Sequence, residues 1–248
     1  MALRVVAEDF KSNQKAMNVK LKAITLLTVI TILFGCDNQK ESRESRIRKP
    51  IEYIEAHPDS LESARKLAVW CTTFGKEKTT ELFNKLTPIV RNSDDGKIVE
   101  QYLLLNKELK IGDKFVDFEM LDSNGRQRKL SEFEGKIVLL EFWASWCGPC
   151  LSDMPYLKKT YENYNKYGFE ILAVSFDMNK EDWLKAIEEN NLNWNHVTEL
   201  KSYGNTAGFI YGVSGIPDNY LIDEKGIIKA RDLRKDKLDK ALEKMIKK

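Results

Sequence analysis

The chain has 248 residues, 42% hydrophobic and 31% charged, which suits a soluble globular body of one large or two modest domains. Forty basic residues against 38 acidic ones leave a net charge of +2, so the charge balance gives no ground for a nucleic-acid partner. Glycine and proline are few, and no period of solenoid length recurs.

The first segment, residues 1–36, reads as a targeting signal. Ala23 to Phe34 is an apolar run preceded by Lys20 and Lys22. It is too short for a stable bilayer span and has the proportions of a signal-peptide core. It ends in Leu33-Phe34-Gly35-Cys36, a small residue followed by cysteine, which resembles the lipobox of bacterial lipoproteins. That resemblance implies cleavage before Cys36, with lipid on its sulfur and on the new amino terminus. Met17-Asn18-Val19-Lys20 already looks like the start of a complete signal, so translation is expected to begin at Met17 and leave residues 1–16 untranslated. Asp37 to Arg43 reads as a solvated tether leaving a membrane. A lipid anchor would hold the rest outside the cytoplasm, facing the periplasm, where disulfides are allowed.

Residues 37–110 read as a linker and a small all-α region. Asp59 can cap a helix, with Glu62 in the capping-box position. Leu61, Ala64, Leu67, Ala68 and Cys71 follow at helical spacing, and Gly75 is the expected stop. A second helix is expected over Glu77 to Leu86. A third follows Asp94-Asp95-Gly96, with Ile98, Tyr102, Leu105 and Leu109 on one face. Cys71 lies on an apolar stripe and reads as a buried, inert thiol. The region reads as a spacer or docking module.

Residues 111–248 change pattern. Phe115 to Leu121 and Gln127 to Leu130 read as strands around an Asn124-Gly125 turn. Lys136 to Trp143 is a central strand, apolar but for Glu141. A helix to about Tyr167, a strand at Phe169 to Phe176 and a helix at Lys180 to Asn190 follow. A short helix is expected over Asn205 to Tyr211, then a hairpin of Asn219–Asp223 with Ile227–Arg231, and a terminal helix from Lys235. Trp183, Trp194 and His196 read as packing. The order β-β-β-α-β-α-α-β-β-α predicts an α/β fold with helices on both faces of a mixed sheet.

The strongest signal is Trp146-Cys147-Gly148-Pro149-Cys150, at the junction of the central strand and the next helix. A Cys147 thiolate there is stabilised by the unpaired N–H groups and the positive end of the helix. Cys150 is one turn on, placed to resolve a disulfide formed at Cys147. Gly148 and Pro149 hold the short loop, and Pro149 has no N–H to satisfy in the first turn. This is dithiol–disulfide exchange. A structural zinc site would need four Cys or His ligands in paired clusters, and His57 and His196 are isolated. No metal and no cofactor are expected.

Leu139 to Cys150 resembles the thioredoxin superfamily. Ile111-Gly112-Asp113, Val174-Ser175-Phe176-Asp177 and Gly215-Ile216-Pro217 with Leu221-Ile222-Asp223 resemble its TlpA/ResA branch of membrane-tethered thiol–disulfide oxidoreductases. The resemblance covers Ile111 to Lys248 and implies a thioredoxin-like fold with an added N-terminal β-hairpin. It implies that Glu141 is a buried carboxylate relaying a proton to or from Cys150. It implies a cis peptide before Pro217, which shields the thiols from metal and exposes the Ile216 backbone to pair with substrate. Asp218 stands where the family more often has Thr. Trp146 is the candidate exposed aromatic for substrate contact, whereas Phe142 and Trp143 read as core. The implied substrates are disulfides of envelope proteins, with electrons from an upstream membrane donor, and Cys-Gly-Pro-Cys favours the reducing direction. The Ile111 to Glu134 entry also resembles peroxiredoxin-type domains, so a thiol peroxidase is the alternative. A non-catalytic binding module is a third.

Overall fold

The computed structural model describes residues 42–246. The apolar run at 23–34, Cys36, the expected start at Met17 and residues 37–41 of the tether lie outside the described residues. The chain divides into two units, residues 1–46 and Ile47–Lys248. The first is described only from Ser42, where helix α1 (Arg43–Ala56) begins, although a tether was expected to run to Arg43. No described helix is long and apolar enough to cross a membrane.

Helix α2 (Leu61–Lys85) departs from expectation at its cap. Its cap is Ser60 rather than Asp59: the Ser60 hydroxyl accepts from the Glu62 N–H at 3.2 Å. Gly75 (φ 78°, ψ 168°) is non-helical and breaks α2 into two helical stretches at a kink, where the stop was expected. A side chain would disfavour that positive φ, and Thr79 Oγ1 donates to the Cys71 carbonyl at 3.0 Å across the break. A short helix α3 (Pro88–Arg91), not expected, precedes α4 (Asp94–Leu105). Ser93 caps α4 through the Gly96 N–H, so Asp94 and Asp95 sit in its first turn, where acidic groups suit the helix dipole. Leu109, assigned to that face, falls beyond the helix. Ile54, Leu67, Leu82 and Val99 close a core of their own. Each such side chain contributes about 1.5–3 kcal/mol by leaving water.

The remainder is a seven-stranded mixed sheet in the order β2-β1-β5-β4-β3-β6-β7. Its strands are β1 (Glu119–Asp122), β2 (Gln127–Lys129), β3 (Ile137–Trp143), β4 (Phe169–Ser175), β5 (Asn195–Thr198), β6 (Asp218–Ile222) and β7 (Ile228–Arg231). The helices between and after them are α5 (Gly148–Tyr164), α6 (Lys180–Glu189), α7 (Thr206–Tyr211) and α8 (Asp236–Ile246). β3, β4 and β5 run parallel, and the other pairings are antiparallel. The strand expected from Phe115 is shorter and starts at Glu119. β5 was not expected: four residues of mixed polarity carry no clear alternation, and only pairing with β4 and β1 makes them a strand.

All seven residues of β3 are buried, as a central strand covered on both faces requires. Its odd-numbered residues face α5, α6 and α8, and its even-numbered residues face α7 and the β1–β2 hairpin. The helical region packs on the second of these faces, at α7. Tyr102 meets Phe209 edge-to-face at 5.5 Å beside buried Cys71, and Asn106 Nδ2 donates to the Phe209 carbonyl at 2.8 Å.

Candidate functional site

β3 ends at Trp143, the chain turns through residues 144–146, and Cys147 caps α5. Cys147 and Cys150 are joined by a disulfide, so the structure is of the oxidised form. The Cys150 N–H donates to Cys147 Sγ at 3.2 Å. Both cysteines are buried, whereas Gly148 and Pro149 are exposed and Trp146 is 61% exposed. Phe142 and Trp143 are fully buried.

The turn before Cys147 is held by Asp177, two residues past the end of β4, which sequence reasoning placed at a strand end and in the family resemblance without giving it a role. Its buried carboxylate accepts from the Ser145 N–H at 3.0 Å, from the Ser145 hydroxyl at 2.6 Å and from the Ser175 hydroxyl at 2.6 Å. The available signal was an acid closing an apolar strand next to the strand that delivers the cysteines.

Glu141 lies on the odd-numbered face of β3, the face whose apolar cluster contains Cys147 and Cys150. Its register partner on β6 is Asn219, and opposed residues share a face. Asn219 Nδ2 donates to Glu141 Oε2 at 2.9 Å, and Arg234 Nη1 donates to Oε1 at 3.0 Å. Burial pushes the Glu141 carboxyl up to about 7, against the opposing pull of Arg234 and Asn219. Arg234 also reaches Asp232 and, at 3.9 Å, Asp153 of α5. Sequence reasoning missed Arg234, which lies 93 residues from its partner.

The Ile216–Pro217 peptide is cis. Ile216 packs against the cluster that holds both cysteines and shares a groove with Trp146. Asp218 turns away from that groove. Its carboxylate is buried and accepts from Arg231 Nε at 3.2 Å, and Arg231 in turn donates to the Gly212 carbonyl at 3.0 Å. The Arg231 guanidinium thus joins the two ends of the loop that carries Pro217. Cys71 stands apart in the helical region. Burial pushes its thiol up to about 12, which leaves it inert. His196 packs between Trp143 and Trp194.

The described residues contain no cluster of three or more His, Cys, Asp or Glu that could hold a metal ion. The chemistry this arrangement supports is exchange between two sulfurs and an external disulfide, with a carboxyl able to hold or release a proton near neutral pH.

Known proteins agree. The AhpC/TSA family model matches residues 111–231. The chain is 37% identical over 119 residues to the thiol–disulfide oxidoreductase ResA of Geobacillus thermodenitrificans, a match that covers 48% of this chain and 67% of that one. The thioredoxin domain of a Bacteroides vulgatus thiol–disulfide oxidoreductase superposes with a TM-score of 0.51 at 36% identity, over 56% of this chain and 99% of that one. The C-terminal domain of a Bacteroides thetaiotaomicron protein described as a thiol–disulfide oxidoreductase gives a TM-score of 0.53 at 28% identity, over 56% and 97%. The shared stretch is the sheet with its cysteine-bearing helix, and the chain belongs to the ResA-like thiol–disulfide oxidoreductases of the thioredoxin fold.

Proposed function

We propose that the chain is a lipid-tethered enzyme of the cell envelope that reduces disulfides of other proteins through Cys147 and Cys150. One observation carries the reading: the cysteine pair sits at the start of α5, over the sheet face that bears buried Glu141, with Ile216 and cis Pro217 at its rim.

In the reduced enzyme the Cys147 thiolate attacks one sulfur of a substrate disulfide. A mixed disulfide forms, and the first substrate thiolate leaves and takes a proton from water. Cys150 then passes its proton to the Glu141 carboxylate and attacks Cys147 Sγ. The Cys147–Cys150 disulfide forms, and the second substrate thiolate leaves and is protonated. Two electrons pass from enzyme to substrate, and a dithiol donor must return two to reset the enzyme. Trp146, Gly148 and Pro149 form the exposed rim that substrate meets, and the Ile216 backbone is offered to an extended segment.

The tether and compartment rest on the Leu33-Phe34-Gly35-Cys36 pattern alone, and mass spectrometry of Cys36 in native membranes tests them. The thiol-peroxidase alternative is less supported, because the named relatives are thiol–disulfide oxidoreductases and Cys147 pairs with a cysteine three residues on. Direction is tested by equilibrating the pair with glutathione buffers. A potential near about −270 mV supports a reductase, and one near about −120 mV makes the enzyme an oxidant instead.

A further inference from the structure

Beside the cysteine pair lies a groove of about 310 Å³ with walls from two parts of the chain. Trp146, Tyr203 and Ile216 form one side, and Ala68, Val69 and Thr72 of α2 form the other. Phe176 and Phe209 lie between them. Its volume is at the small end of ligand pockets, about 300–1,000 Å³, which leaves room for one or two side chains.

Two features set it apart. Three large apolar side chains left exposed elsewhere without cover converge here: Val69 is 45% exposed, Trp146 61% and Tyr203 41%. In a chain that is 31% charged, no residue lining the groove carries a charge. Converging exposed apolar groups mark an interaction site rather than ordinary surface. The α2 wall also lies outside residues 111–231, so it is no part of the family-matched body.

We propose that residues 68–72 of α2 set substrate specificity, and that the groove takes an uncharged apolar side chain flanking the cysteine of an extended, disulfide-bearing polypeptide. The occupant follows from continuity with the dithiol. Trp146 immediately precedes Cys147, and Ile216 packs on the cluster holding both sulfurs. A substrate segment whose sulfur lies against Cys147 Sγ and whose backbone follows Ile216 therefore carries its neighbouring side chain into this groove. A charged side chain there would shed water with no counter-charge to meet it. The proposal rests on the exchange reading above and adds to it which disulfides are taken.

The test uses the reduced full-length protein and two disulfide-linked peptides that differ only beside the cysteine, one with Leu and one with Lys. Released thiol is followed in single turnovers. The wild type should reduce the Leu peptide about tenfold faster than the Lys peptide. Val69→Glu should abolish or invert that preference, and Val69→Thr, which keeps the volume and the fold, should narrow it. Ile89→Glu places the same charge on an 82% exposed residue outside the groove and should keep the wild-type preference. Equal rates on both peptides in the wild type, or an unchanged preference in both Val69 variants, overturns the proposal. Reduction of neither peptide overturns the exchange reading itself, and the specificity claim falls with it.

Discussion

Glu141→Gln isolates the charge on the buried carboxyl while keeping its volume. Burial opposes ionisation of this group, Arg234 and Asn219 favour it, and burial wins: the carboxyl is raised from 4.5 to about 7. Between those values the folded chain keeps a proton that the unfolded chain has released. The native state binds more protons there, so this group's contribution to stability is fully present below pH 4.5 and is lost as pH rises through 7. A rise from 4.5 to about 7, at about 1.36 kcal/mol per unit, amounts to about 3 kcal/mol. Glutamine does not titrate. Urea unfolding of the oxidised wild type and variant at pH 4.5 and pH 8 should therefore show the stability difference moving by about 3 kcal/mol in the variant's favour at the higher pH. The bend near pH 7 that Glu141 adds to the wild-type exchange rate should be missing in the variant, whose remaining pH dependence is that of the Cys147 thiol. If the stability difference is constant, or moves the other way, the Arg234 guanidinium outweighs burial. The carboxyl is then ionised throughout, and its part as proton relay loses its basis.

Asp177→Ala leaves the Ser145 N–H and two hydroxyls without their acceptor, so it should cost about 3 kcal/mol in a thermal melt and slow exchange by loosening the turn before Cys147; an unchanged rate would show that the turn holds itself. Burial pushes His196 down from 6.5 to about 3, so the unfolded chain binds its proton first as pH falls. His196 thus favours the native state above pH 6.5 and loses that contribution towards pH 3, and His196→Phe should flatten the acid limb of the stability profile by a few kcal/mol. Tyr102→Ala removes the edge-to-face partner of Phe209 and should destabilise the whole unit by about 3–5 kcal/mol in a single melting transition; two separate transitions would mean that the helical region and the sheet do not fold as one.

The parts of the fold with strong local pattern were legible. β3 is an apolar run broken only by Glu141, α5 starts where proline and cysteine end it, and the β6–β7 hairpin follows a glycine turn. What escaped depends on distant partners. β5 has too little alternation to declare itself, and Asn195–Thr198 becomes a strand because β4 and β1 present open edges on either side. Gly75, by contrast, was legible as a break, and Thr79 ties the two helical stretches together through the Cys71 carbonyl. At the site, the cysteines were visible because their chemistry is local, whereas cis Pro217 came from the family resemblance. Arg234 was not visible, since nothing near it names Glu141, and Asp177 showed in the Val174–Asp177 resemblance without any sign of its hold on Ser145.

Short helix α7 joins these parts. On one side it receives Tyr102 and Asn106 from the helical region. On the other, Tyr211 donates to the Val116 carbonyl, and Tyr220 of β6 donates to the Tyr211 carbonyl. Gly208 brings the helix so close to Phe176 that an added Cβ would lie 2.6 Å from the ring. From α7 the chain runs through Gly212, clasped by Arg231, straight to Ile216 and Pro217. A helix fixed on both sides and followed within five residues by Ile216 leaves the loop that carries cis Pro217 few ways to move independently. The helical region therefore does more than cover a hydrophobic surface. It seats α7, which leads directly to Ile216, and it brings Val69 to the same groove as Trp146 and Ile216.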